Sequence, residues 1–115
     1  SVASAETMKR IVEGRTWQAL TGMVEAVVMV KTREEVDSIS AAADIAAKVY
    51  DHVLRTVKAG MTENDIAAEV AYISKKLGSE GEGFETIVAS GVRGALPHGR
   101  ASNKIIRHGE LVTLD

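Results

Sequence analysis

Between Thr32 and Val57 the apolar residues Val36, Ile39, Ala43, Ala46, Tyr50, Val53 and Val57 recur at spacings of three and four. That period belongs to one stripe of an α-helix and to nothing else regular. The segment predicts a helix of about 26 residues, roughly 39 Å long at about 1.5 Å per residue. Thr32-Arg33-Glu34-Glu35 reads as a capping box at its start, and Gly60 as its stop. Ala41, Ala42, Ala43, Ala46 and Ala47 favour helix and let a neighbour approach closely. A helix this long must lay its stripe on something, so the rest of the chain is read for a partner.

A second helix opens at Thr62-Glu63-Asn64-Asp65, with carboxylates in the first turn where the helix dipole favours them. Its stripe is Ile66, Val70, Ile73 and Leu77; Lys75 and Lys76 fall in the last turn, and Gly78 is the stop. Phe84 to Ser90 predicts a strand centred on Ile87 and Val88, residues 91–103 a loop, and Leu111 to Asp115 a second strand. Two long helices packed on one face of a partial, mainly antiparallel sheet follow, an α+β arrangement. Ahead of these, Ser4 is expected to cap a short helix over Ala5 to Glu13 that Gly14 stops. Trp17 to Leu20 reads as extended, and Gly22 to Met29 leans to helix. Residues 1–30 read as a tail and connector, and residues 31–115 as the body of a domain.

Composition removes several function classes. The 115 residues are 45% apolar with a formal charge of −2, so a packed core is within reach and no basic excess exists to neutralise a phosphate backbone. Nucleic-acid binding is therefore not expected. With no cysteine, disulfides, thiolate zinc sites and cysteine nucleophiles are excluded together. Ala26 to Val30 is the longest apolar run, far below the roughly 20 residues of a membrane span. A cytoplasmic location is the expectation. The chain stops inside an apolar strand pattern, Leu111 to Asp115, which reads as a fragment.

Two residues stand out as candidates for chemistry. His98 lies in Leu96-Pro97-His98-Gly99, where proline stiffens the backbone before it and glycine frees the backbone after it. A histidine on a stiff turn can donate a hydrogen bond or act as an acid near neutral pH; a solvated loop histidine is the plainer alternative. Asp115 ends an apolar strand, where a carboxylate is costly unless it is paired or bound to a cation; a strand returning to water is the plainer alternative there. His52 falls within the long helix and reads as a packing or surface histidine, and His108 as a solvated turn residue. The acidic pairs at Glu34-Glu35 and at Glu63 to Asp65 are accounted for by capping. Gly91-Val92-Arg93-Gly94 lacks the lysine of a phosphate loop and opens no helix.

Taken together, Lys31-Thr32-Arg33-Glu34-Glu35, Lys58-Ala59-Gly60-Met61-Thr62-Glu63, Phe84 to Gly91, Ala95-Leu96-Pro97-His98-Gly99 and Gly109 to Asp115 resemble, in order and spacing, the Xaa-Pro peptidases of the creatinase and aminopeptidase, or pita-bread, family. The Phe84 to Asp115 portion is the specific part of the resemblance. It implies that His98 hydrogen-bonds substrate beside a metal centre. It also implies that Asp115 is the first of five ligands, two aspartates, a histidine and two glutamates, that hold two divalent ions such as manganese, cobalt or zinc. The substrate would be a proline-containing dipeptide or peptide, and the parent a homodimer. Residues 1–30 would be the tail of the smaller domain that precedes the catalytic domain in prolidases. With a single ligand present, the fragment alone is expected to be inactive and to bind metal weakly at best. Two alternatives stay open: a metal-free creatinase-like hydrolase, and a non-catalytic binding module of the same fold.

Overall fold

The computed structural model describes residues 2–115, which form two compact units that divide between Arg33 and Glu34. The first unit holds α1 (Val2–Ile11) and α2 (Met23–Met29), neither of which buries a residue. Helix α1 starts earlier than the sequence predicts, so Ser4 lies inside it rather than capping it, and it ends two residues short of Glu13. Gly14 and Gly22 both take positive φ, and residues without regular secondary structure join them.

The second unit is built on α3 (Arg33–Thr56) and α4 (Glu63–Lys76), followed by β1 (Val88–Ser90), a 3-10 helix over Gly91–Ala95 and β2 (Val112–Leu114). Helix α3 has 24 residues and ends at Thr56; its last bond is Val57 N–H to Val53 C=O at 2.9 Å. Its buried stripe differs from the expected one. Val36, Ile39 and Tyr50 are 44%, 56% and 55% exposed, whereas Val49 and Val53 are buried and Ile45 half-buried. The packed residues stand four apart, and only the C-terminal half of the helix lies over the rest of the core.

Helix α4 is closed at both ends. Thr62 Oγ1 accepts from Asp65 N–H at 3.1 Å while Asp65 Oδ2 accepts from Thr62 N–H at 2.7 Å. The other first-turn amides, of Glu63 and Asn64, donate to Lys104 C=O and Ser102 C=O, each at 3.0 Å. At the far end Ser79 N–H reaches Ser74 C=O at 3.0 Å and Gly78 N–H reaches Lys75 C=O at 3.1 Å. That is a Schellman ending, which Gly78 permits at φ 98°.

Strands β1 and β2 pair antiparallel, with Val88 opposite Leu114, Ala89 opposite Thr113 and Ser90 opposite Val112. They are shorter than predicted: Phe84 is 59% exposed, and beyond the paired strands the ladder continues by one residue at each end, where Ile87 and Asp115 exchange bonds of 2.9 and 3.1 Å and Gly91 N–H donates to Leu111 C=O at 2.9 Å. Successive side chains alternate between faces. Val88, Val112 and Leu114 join Val49, Val53, Ile66 and Ile106 in the core beneath the helices. Ala89 and Thr113 therefore face the other way, as do Ile87 and Asp115. That second face is covered by the segment after β1: a Cβ on Gly99 would sit 2.8 Å from the Cβ of Ala89, and one on Gly94 would sit 3.1 Å from Thr113 Oγ1. The predicted loop 91–103 is thus a 3-10 turn and a tight fold-back laid against the hairpin. Among the described residues no helix is long and apolar enough to cross a membrane.

Candidate functional site

The fold-back explains how residues far apart in sequence meet. Leu96 to Gly99 is a turn closed by Gly99 N–H to Leu96 C=O at 3.2 Å, and Arg100 N–H then bonds His98 C=O at 2.9 Å. Arg100 next forms a bridge with Ile87 of the extended run before β1. This brings the His98 turn to the same end of the hairpin as Asp115, on the face that Asp115 shares with Thr113. A cleft of about 450 Å³ lies there, lined by Phe84, Glu85, His98, Arg100 and Asp115.

His98 and Asp115 are both exposed at this cleft, so each is reachable from solvent. Glu85 and Arg100 add a surface ion pair, Nε to Oε2 at 3.0 Å, whose members are 60% and 76% exposed. A pair so exposed contributes little to stability. The cleft therefore offers two carboxylates, one guanidinium and one imidazole, which suits a polar substrate or a hard cation. The carboxylate of Asp115 is the donor type that a divalent ion takes. Among the described residues, however, no group of three or more His, Cys, Asp or Glu is placed to hold a metal ion.

The other two histidines stand apart from the cleft lining. His52 Nε2 lies 3.0 Å from Glu69 Oε2 and joins α3 to α4, and its neighbour Thr56 Oγ1 donates to His52 C=O at 2.8 Å. His108 is exposed in a turn before Gly109, which has φ 83°.

Glu63 departs most from the sequence reading. Capping falls to Asp65, and Glu63 is completely buried. Its Oε1 accepts from Ser90 N–H at 2.7 Å and Ser90 Oγ at 2.9 Å; its Oε2 accepts from Arg93 Nε at 3.0 Å and Ser102 Oγ at 2.6 Å. Lys104 Nζ extends the network, donating to Ser90 Oγ at 2.7 Å and Glu110 Oε2 at 2.6 Å. Burial pushes the Glu63 carboxyl up, but the bonds from Ser102 and Ser90 and the Arg93 charge outweigh it, so it is held below the usual glutamate range. Glu110 is lowered too, first by its bond from Lys104 and then by the N–H of Arg107. One signal in the sequence points to this: two carboxylates stand in the first turn where a capping box needs one.

Comparison with known proteins fits this geometry. The model for metallopeptidase family M24 matches residues 37–115, nearly all of the second unit. Over the whole chain there is 36% identity to the Xaa-Pro dipeptidase of Pyrococcus furiosus, of which the chain covers 33%. An X-Pro aminopeptidase structure from Thermotoga maritima superimposes with a TM-score of 0.88 at 36% identity, over 100% of this chain and 32% of that one. A Xaa-Pro dipeptidase structure from Bacillus anthracis gives 0.87 at 35% identity, again over 100% and 32%. The chain therefore spans about a third of the length of these relatives.

Proposed function

The chain belongs to metallopeptidase family M24 and carries part of the pita-bread fold, and on that premise we propose that it is the first portion of the catalytic domain of an enzyme hydrolysing the Xaa-Pro bond of dipeptides or peptides. The observation that carries the reading is the meeting of His98 and Asp115, from separate segments, at one cleft. In this reading Asp115 is one ligand of a two-metal centre completed by residues outside this chain, and His98 hydrogen-bonds the peptide beside it. A divalent pair, when bound, supplies hydroxide near neutral pH and polarises the scissile carbonyl. The stiff Leu96 to Gly99 turn holds the imidazole so that it need not be ordered when substrate binds. In this reading residues 1–30 are the tail of a preceding smaller domain together with the connector from it. The reading also takes the 115 residues alone to be inactive, and the parent to be a cytoplasmic homodimer, which sedimentation of the full-length protein tests.

The test is Xaa-Pro dipeptide hydrolysis by the full-length protein with manganese or cobalt, before and after chelation. Activity that needs the metal supports the reading; activity that survives complete chelation overturns it in favour of metal-free hydrolysis, and no hydrolysis at all overturns the peptidase reading. In the same protein His98→Ala is expected to lower kcat with bound metal retained, and Asp115→Ala to lose at least one ion. Full occupancy in the Asp115 variant contradicts its role as a ligand, and loss of both ions from the His98 variant contradicts the role given to that residue.

A further inference from the structure

The buried network around Glu63 ends on the turn that carries His98. Ser90 and Ser102, both bonded to the Glu63 carboxylate, flank the segment 91–101 in which His98 lies. Arg93 is the strut between them. Its Nε donates to Glu63 at 3.0 Å, its Nη2 donates to Arg100 C=O at 2.7 Å, and its own C=O accepts from Leu96 N–H at 2.9 Å. One arginine thus touches the chain on both sides of His98 and is itself fixed to a fully buried carboxylate. Neither Glu63 nor Arg93 lines the cleft. Apolar residues of similar volume often stabilise a core as well as a buried ion pair does, so stability alone is a weak reason for this one. A planar guanidinium held at both ends sets a geometry that apolar packing would leave loose.

We infer that Glu63 and Arg93 are positioning residues that hold the His98 turn at its place over the cleft, an inference that rests on the role proposed for His98. Arg93→Lys is the informative substitution. Lysine keeps a charge for Glu63, so the fold is retained, but it cannot hold Glu63 and Arg100 C=O in one rigid fork.

The full-length, metal-loaded protein is compared as wild type, Arg93→Lys, His98→Ala and the double variant, by steady-state kinetics on a Xaa-Pro dipeptide, metal content and amide hydrogen exchange. Arg93→Lys is expected to lower kcat about tenfold by misplacing the turn, with KM and metal content unchanged and exchange faster at residues 96–100. On the His98→Ala background it is expected to cost nothing further, because both substitutions disable the same group. Wild-type exchange and wild-type kcat in Arg93→Lys overturn the inference by itself, as does an equal fold loss on both backgrounds. Faster exchange in a protein whose turnover is indifferent to His98→Ala overturns it through the role of His98, and the exchange result tells the two failures apart.

Discussion

Gly99 has no room for a side chain. A Cβ there would stand 2.8 Å from the Cβ of Ala89 and 3.3 Å from Leu96 C=O, and neither neighbour is the free end of a flexible side chain. Gly99→Ala must therefore push the His98 turn off the hairpin. Urea unfolding is expected to show a loss of about 2 kcal/mol, the usual scale for overpacking. A change within 0.5 kcal/mol, the usual range for surface substitutions, would mean that the turn moves freely. The turn around His98 and the strand leading to Asp115 were legible in the sequence, because a proline and a glycine mark the one and alternating apolar residues the other. Glu63 was not. Its partners Ser90, Arg93 and Ser102 lie 27 to 39 residues away, and a first-turn glutamate has the same local sequence whether it faces water or the core.

At the level of single elements, α4 follows its sequence closely because its signals are local. Thr62 and Asp65 close one end, Gly78 the other, and Ile66 is buried as its spacing predicts. Thr62→Ala removes the hydroxyl that accepts from Asp65 N–H, and the expected cost is about 1 kcal/mol, read as a lower midpoint in thermal unfolding. An unchanged midpoint would show that the contacts of Lys104 C=O and Ser102 C=O suffice to hold the helix start. Helix α3 was legible as a helix but only partly as a packing surface. The three-and-four rule accepts several stripes in an alanine-rich run, and what chooses among them is the position of the hairpin, which local sequence does not carry. The strands shortened for the same reason: β propensity marks where a strand can form, while pairing decides how far it extends.

For the molecule as a whole, Glu63, Asp65 and Glu110 all hold carboxyls below their ordinary range, Glu63 through Ser102, Ser90 and Arg93 against its burial, Asp65 through the Thr62 N–H and hydroxyl, and Glu110 through Lys104 and Arg107. A carboxyl lowered in the folded state contributes stability that is present above its unfolded pKa. That stability is lost as pH falls through the folded pKa. The domain is therefore expected to keep its full stability near pH 7 and to lose it progressively below about pH 5. Glu63→Gln is expected to lower stability at pH 7 by about 3 kcal/mol, since it strands a half-buried arginine, and to flatten the acid slope. Urea midpoints measured from pH 7 to pH 3 check both, and an unchanged slope in the variant would remove Glu63 as a source of the acid sensitivity.

The separations across the Glu63 network also bear on folding. Helix α4 can form from its own caps, but its first buried carboxylate has no partners until chain 27, 30 and 39 residues downstream has folded back. Closing loops of that length carries an entropic cost that short-range helix formation does not. Without that long-range closure Glu63 has none of these partners, so its burial and the bonds that Arg93 makes on either side of His98 depend on the same folded-back chain.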